Sequence, residues 1–206
     1  NVSLGTANRT LTLGNASEGA LGGVISNTGS GGVTFSANAN GTKEFRITNA
    51  ANTFTGDITI NGGEVRFTAN GSMGNAANDI IIDGGRFSKA SDSTTVTLGA
   101  GRDVYVGNGA DTGISSPGSG TFVINSGILD KTSETGSWAK QGGGVLELGG
   151  ASTYTGNTAI NNGTVLLTTG NNRLPTTTVL SLGQAASANL GTLNLNGRSQ
   201  EVAGLQ

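Results

Sequence analysis

Five side chains near the middle of the chain, Asp79, Asp83, Arg86, Arg102 and Asp103, are the ones whose types could do chemistry together. Carboxylates clustered with guanidinium groups along one groove would suit acid–base cleavage of an acidic polysaccharide. The rest of the composition weakens that reading. The 206 residues include no His and no Cys, so the common nucleophile-and-base pairs, thiol catalysis and thiolate metal sites are all missing. The 13 acidic residues are spread along the whole length, and a solvated surface is the simpler account of the five. The expectation is therefore a non-enzyme with no catalytic, cofactor-binding or metal-binding residue and no cofactor.

A second candidate is Gly99-x-Gly101-x-Asp103-x-Tyr105, which partly matches a calcium-binding nonapeptide of parallel β-rolls. That chemistry needs stacked copies whose carboxylates share each ion, and one imperfect copy reads better as a glycine turn before the strand 104–106. Trp138 could stack on a sugar if exposed, but its place just before Lys140 favours packing in the core or at an edge. Phe54 and Tyr154 read as packed anchors at bends, with the tyrosine hydroxyl reaching water or a backbone group. Thr-x-Thr pairs at Thr10 and Thr12, Thr53 and Thr55, Thr95 and Thr97, and Thr153 and Thr155 are spaced too irregularly to form one ice-ordering row. No Gly-rich stretch ends in Gly-Lys-Thr or Gly-Lys-Ser, and the Asn-x-Ser/Thr triplets are chance products of an Asn- and Thr-rich chain. A formal net charge of -2 without a basic patch argues against nucleic acid.

The elements that must position these residues are short strands. Val, Ile and Leu runs such as 9–14, 32–37, 79–85, 95–101, 121–127, 144–150 and 191–197 mostly end in Gly or Asn, and no amphipathic helix pattern exceeds two turns. With 37 Gly but 2 Pro and no period of three, collagen is excluded, and 34% hydrophobic residues exclude disorder. Aromatics at 4% imply an aliphatic core. No apolar run approaches the roughly 20 residues that span a bilayer, so membrane insertion by this segment is not expected. The chain opens on Asn1 without a leader pattern and reads as a segment of a longer, processed protein.

"NTFTGDITINGGEVRFT" (52–68) returns as "STYTGNTAINNGTVLLT" (152–168), identical at 8 of 17 positions with no gap. Asn61-Gly62-Gly63 and Asn161-Asn162-Gly163 supply the left-handed residues of a sharp bend. Taken alone, that bend fits a β-hairpin as well as a solenoid corner. The recurrence and the density of short runs favour a parallel solenoid with coils of about 20 to 25 residues, hence roughly nine coils stacked about 4.8 Å apart. The unit recurring at an offset of 100 residues would span several coils.

Residues 136–168, with Lys140, Gly142 to Gly144, Leu146, Leu148, then Thr153, Tyr154, Thr155, Gly156, Ile160, Asn161, Gly163 and Thr164, resemble the autotransporter-associated β-strand repeat. Segments 9–37 and 179–205 resemble the stretches that flank such repeats. The resemblance implies a right-handed parallel β-helix, a single segment over 1–206 with similar units around 41–90 and 141–206. It also implies a secreted or surface-exposed passenger acting as a non-enzymatic scaffold or adhesive stalk. Partners would be a host surface or a polysaccharide, and uncapped solenoid ends would permit end-to-end stacking into a filament.

Two departures from the pattern carry expectations. Ile47 lies nine residues before Gly56, whereas Leu148 lies eight before Gly156, so a bulge or longer turn must absorb one residue. The poorly matching stretch 88–120, with Pro117, predicts a longer loop near 108–120.

Overall fold

The computed structural model describes residues 1–13, 18–37, 43–90, 94–185 and 187–206. Its strands bury alternate residues: Val33, Phe35 and Ala37 point inward, as do Ile58 and Ile60, and Val104 and Val106. Strands of two to five residues cannot form a core singly, so each needs the coils above and below it. All strand pairs among the described residues are parallel, and the hairpin reading of Asn61–Gly63 falls with that finding. The chain is an all-β parallel solenoid.

Each circuit visits three faces. Face A begins with the pair Val2–Ser3 and Ile25–Ser26 and ends with a five-stranded sheet from Val96–Leu98 to Gly191–Asn194. Face B is a six-stranded sheet from Arg9–Leu13 to Ile128–Asp130. Face C is a nine-stranded sheet from Glu18–Leu21 to Gly204–Leu205. The eight steps between its nine strands give about eight turns, close to the nine expected. Where face A has no strand, asparagine side chains continue the ladder. The Ile25 N–H donates to Asn52 Oδ1 at 2.8 Å and Asn52 Nδ2 donates to Ser72 O at 2.7 Å. One coil on, the Gly99 N–H donates to Asn70 Oδ1 at 3.0 Å, at the start of the 3-10 turn Asn70–Met73. Side-chain amides carry the same donors and acceptors as a peptide group, so the backbone stays satisfied without strand geometry.

Circuit length varies while register is kept. Leu146 pairs with Val165, 19 residues on, and Val165 with Leu193, a further 28. Corners absorb the difference. The extra residue before Gly56 sits in the turn at Asn49–Ala51, where Asn49 Oδ1 accepts the Ala51 N–H at 2.8 Å and Asn49 Nδ2 donates to Gly22 O at 3.0 Å. The expected single loop at 108–120 is corrected: Gly113–Ser115 is a strand of face C, paired on both sides. Three residues beginning with Gly show no alternation in the sequence, yet Ile114 stacks in register between Phe87 and Lys140.

The core is also less aliphatic than composition implied. All six Phe are buried, and Phe67, Phe87 and Phe122 form a spine with ring centroids 4.4 and 5.1 Å apart. Few aromatics suffice when each occupies an inward column, since one buried ring contributes about 1.5–3 kcal/mol. Among the described residues the exposed large hydrophobics, Leu182, Leu190, Leu195 and Leu205, all belong to the C-terminal coil. Among the described residues no helix is long and apolar enough to cross a membrane.

Candidate functional site

The five residues singled out for chemistry occupy four separate environments. Arg102 is fully buried and spends all five N–H groups: Nε on Asn70 Oδ1, Nη1 on the carbonyls of Met73 and Asn78, Nη2 on those of Asn70 and Gly74, at 2.8–3.3 Å. It clamps the 3-10 turn, and burial lowers its pKa. Asp79 and Asp103 stand at the leading edge of face B in a ladder with Asp57. There Asp57 Oδ1 accepts the Asp79 N–H at 3.0 Å, and Asp79 Oδ1 the Asp103 N–H at 2.9 Å. Partial burial raises the Asp79 pKa, and the flanking carboxylates Asp57 and Asp103 add to it against the Asp103 N–H and the charge of Arg102.

Asp83 instead faces the B-to-C corner. It accepts the Gly109 N–H at 3.0 Å and pairs with Lys131, which also pairs with Glu134. Those two acceptors, Asp83 first, raise the Lys131 pKa. Arg86 points outward from face C. The calcium-like residues are likewise dispersed: Gly99 caps Asn70, Asp103 belongs to the acid ladder, and Tyr105 faces out from face B. Burial, then the charges of Asp79, Asp103 and Asp57, raise the Tyr105 pKa.

Stacking also decides the threonine and aromatic readings. The outward row of face B runs Thr10, Thr34, Thr59, Ile81, Tyr105, Leu129 in register. Thr97 lies on face A, so the Thr-x-Thr pairs do not line up. Trp138 is buried at 3% exposure, which removes it as a sugar platform. Its ring meets Tyr154 edge-on at 6.1 Å. The Tyr154 hydroxyl, expected to reach water or backbone, instead meets Thr158 Oγ1.

Face C carries the concave feature that the sequence did not reveal. Arg86, Gly113, Ala139, Ala159 and Ser181 form one outward column in register. From Gly113 on, these side chains are so small that the middle of the sheet sinks between its flanks. Two residues before the floor positions stand Asp111, Ser137 and Asn157. Two residues after Ala139 and Ala159 stand Gln141 and Asn161. The result is an open trench of about 400 Å³, lined by these groups and by Gln184 at its far end. The floor positions are separated by 26 and 20 residues (113 to 139 to 159), so no fixed period exposes them in the sequence.

Arg86 closes the near end. A Cβ at Gly113 would lie 3.5 Å from Arg86 Cγ, so the arginine stem runs over that glycine. Its Nη2 is 4.0 Å from Asp111 Oδ1, while its Nε is sealed from solvent with no acceptor. One coil earlier Glu64 stands in register with Arg86, and it is taken up by Arg66, two residues along. Arg66 donates Nε to Glu64 at 2.9 Å and pairs through Nη1 with Glu44 at 3.1 Å.

Comparison with known proteins agrees with this architecture. A family model described as passenger-associated-transport-repeat matches residues 38–67 and 139–167. Over 118 residues the chain is 32% identical to the adhesin BmaC autotransporter of Brucella suis biovar 1 (strain 1330), a match covering 57% of this chain and 3% of that protein. No solved structure matches the chain. Both segments that match this repeat contribute strands to the same parallel stack, and over those residues the chain is similar to autotransporter passenger repeats.

Proposed function

We propose that the chain is a non-enzymatic, surface-exposed passenger segment that acts as a scaffold and presents adhesive faces. The observation that carries this reading is the pair of passenger-associated-transport repeats inside one uninterrupted stack. Similarity to a protein named as an adhesin supports the adhesive part. A stack held by ladders between neighbouring coils can add coil upon coil during export, since each new coil docks on a finished edge and buries its own apolar column. Its repetitive polar faces suit many weak contacts that sum through multivalency. The exposed leucines of the last coil, Leu190 and Leu205 above all, fit the same reading, because one more coil laid on that edge would bury them.

The test uses the full-length protein on intact cells. Antibody against this segment should label unpermeabilised cells, external protease should remove the label, and deletion of the segment should lower adherence. A segment reached only after the cells are broken open refutes the reading.

A further inference from the structure

We propose that the trench on face C binds an extended acidic oligosaccharide lying along the solenoid axis, with Arg86 receiving a sugar carboxylate. This assignment rests on the adhesive-scaffold reading and gives it a ligand class. Three features of the trench converge on it.

The first is spacing. Successive coils repeat about 4.8 Å apart, close to the advance of one pyranose along an extended chain, so each coil can meet one sugar. The second is lining. Ala139, Ala159 and Ser181 leave room for a ring above the sheet, and the banks supply planar amides and hydroxyls: Gln141 and Asn161 on one side, Ser137 and Asn157 on the other. Amides and hydroxyls both donate and accept, as sugar hydroxyls do. The third is the under-used cation. Arg86 makes one ion pair, at the 4.0 Å limit, whereas Arg66, one coil earlier and two residues along, pairs with both Glu44 and Glu64. A carboxylate at the trench end would meet the outer Nη edge of the guanidinium, the part of this 26% exposed side chain that solvent reaches. With Trp138 buried, recognition depends on hydrogen bonds and charge without ring stacking. Single-site affinity is thus weak, and avidity comes from repeated display.

The experiment is calorimetry on the chain with two probes at neutral pH, the galacturonate hexamer and the uncharged hexamer cellohexaose. The acidic hexamer should bind at millimolar concentration or below, and at least about tenfold more tightly than cellohexaose, the step expected of one charge-assisted hydrogen-bond pair. Arg86→Gln should erase the preference, and Ala159→Leu, which fills the floor from outside the core, should weaken both probes while the melting temperature stays within a few degrees. Failure of the acidic hexamer to bind, equal binding of the two probes, or unaltered binding by Arg86→Gln overturns the proposal. A segment displayed on cells that binds neither hexamer refutes the trench and leaves the scaffold standing. Binding by a segment never displayed has the opposite meaning.

Discussion

The repeat around Phe54 and the repeat around Tyr154 are built alike and docked differently. In both, a threonine N–H reaches back one coil: Thr53 to Ile25 O and Thr153 to Ile128 O, each at 2.9 Å. Ile25 and Ile128 in turn donate to the preceding residue of the repeat, Asn52 Oδ1 and Ser152 Oγ. Thr55 donates its N–H to Asn27 Oδ1 and Thr155 to Asp130 Oδ1, both at 3.0 Å. Yet Ile25 lies on face A and Ile128 on face B. The first repeat sends its strands into faces B and C, the second into faces C and A. An offset of 100 residues therefore equals four coils and one further face. Parallel coils offer every face the same edge of amides, so a corner-and-strand cassette can dock on any of them.

The interiors differ in a matched way. The first repeat packs Phe54 above Ile58; the second has Tyr154 and Thr158 at the same places, all four at 0% exposure. The second also holds Thr178 where the first holds Asn78. Its donors run in one direction, from the Tyr154 hydroxyl to Thr158, from Thr158 to Thr178 at 2.9 Å, and from Thr178 to Gly156 O at 2.9 Å. Asn78 closes the first repeat by a different route, donating to the carbonyls of Phe54 and Met73 and accepting the Gly56 N–H. Burial pushes the Tyr154 phenol up to about 12. A buried hydroxyl is tolerated because each has an acceptor, so residues 154, 158 and 178 must change together.

The largest expected effect tests the shared frame. Gly63 and Gly163 have φ of 72° and 75°, and a Cβ would come within 2.7 Å of Lys43 O or 2.5 Å of Gly144 O. Gly63→Ala and Gly163→Ala should each cost at least about 3 kcal/mol in urea denaturation, from left-handed strain plus a backbone clash. A large loss at one and none at the other would break the equivalence of the two repeats.

The next effect separates their interiors. Thr158→Ile leaves the Tyr154 hydroxyl buried without its acceptor and should cost about 1–3 kcal/mol, while Tyr154→Phe, which leaves Thr158 on Thr178, should cost about 1 kcal/mol. Combined, the two substitutions recreate the first repeat's pair and should cost less than their sum by about 1–2 kcal/mol. In the first repeat, Phe54→Tyr alone should cost about 1–3 kcal/mol and be partly rescued by Ile58→Thr. Additive behaviour in both repeats would show that the matched residues are not coupled.

Much of this frame is legible in the sequence. The period-two runs, the Asn-Gly bends and the recurrence at 100 residues all report local geometry, which neighbouring residues encode. What stayed hidden depends on register between coils. Gly113–Ser115 has no alternation of its own and becomes a strand because Arg86–Lys89 and Trp138–Gln141 flank it. Arg102 looked like a surface cation because four of its five acceptors are backbone carbonyls of residues 70–78, which no side-chain pattern announces. The trench needs Gly113, Ala139 and Ala159 side by side, and circuits of unequal length hide that alignment. The face shift between repeats was invisible for the same reason.

A smaller effect follows from a titratable group that the first repeat lacks. Lys140 is buried and donates to the carbonyls of Gln141, Gly142 and Asn162 at 2.6–3.0 Å; where Ile160 pairs with Lys140, Ile60 of the first repeat pairs with Phe35. Burial, and then the charge of Lys89, pulls its pKa from 10.5 down to about 8. Between those values the unfolded chain holds the proton and the folded chain releases it, so this group makes stability rise with pH across that window. Denaturation midpoints from pH 8 to 10.5 should show the rise, and Lys140→Met should flatten it. An identical rise in the variant would assign it elsewhere.

The smallest effect concerns Asp57, which the second repeat replaces with Asn157. In the first repeat Asp57 repels Asp79 across one coil, yet its Oδ1 also accepts the Asp79 N–H. Asp57→Asn keeps an acceptor and removes the charge. Because the folded-state pKa of Asp79 is raised, its carboxylate costs stability above that pKa and the cost fades as acid protonates it, down to the unfolded value of 3.8. Removing the Asp57 charge should therefore stabilise the chain slightly at neutral pH, within about 0.5 kcal/mol for a partly solvated, screened pair. The gain should shrink as the pH falls toward 4 and shrink again in high salt. Loss of stability at neutral pH would mean that the Asp57 carboxylate, as the stronger acceptor, holds the coil edge more firmly than its repulsion loosens it, and that the asparagine of the second repeat is not interchangeable with it.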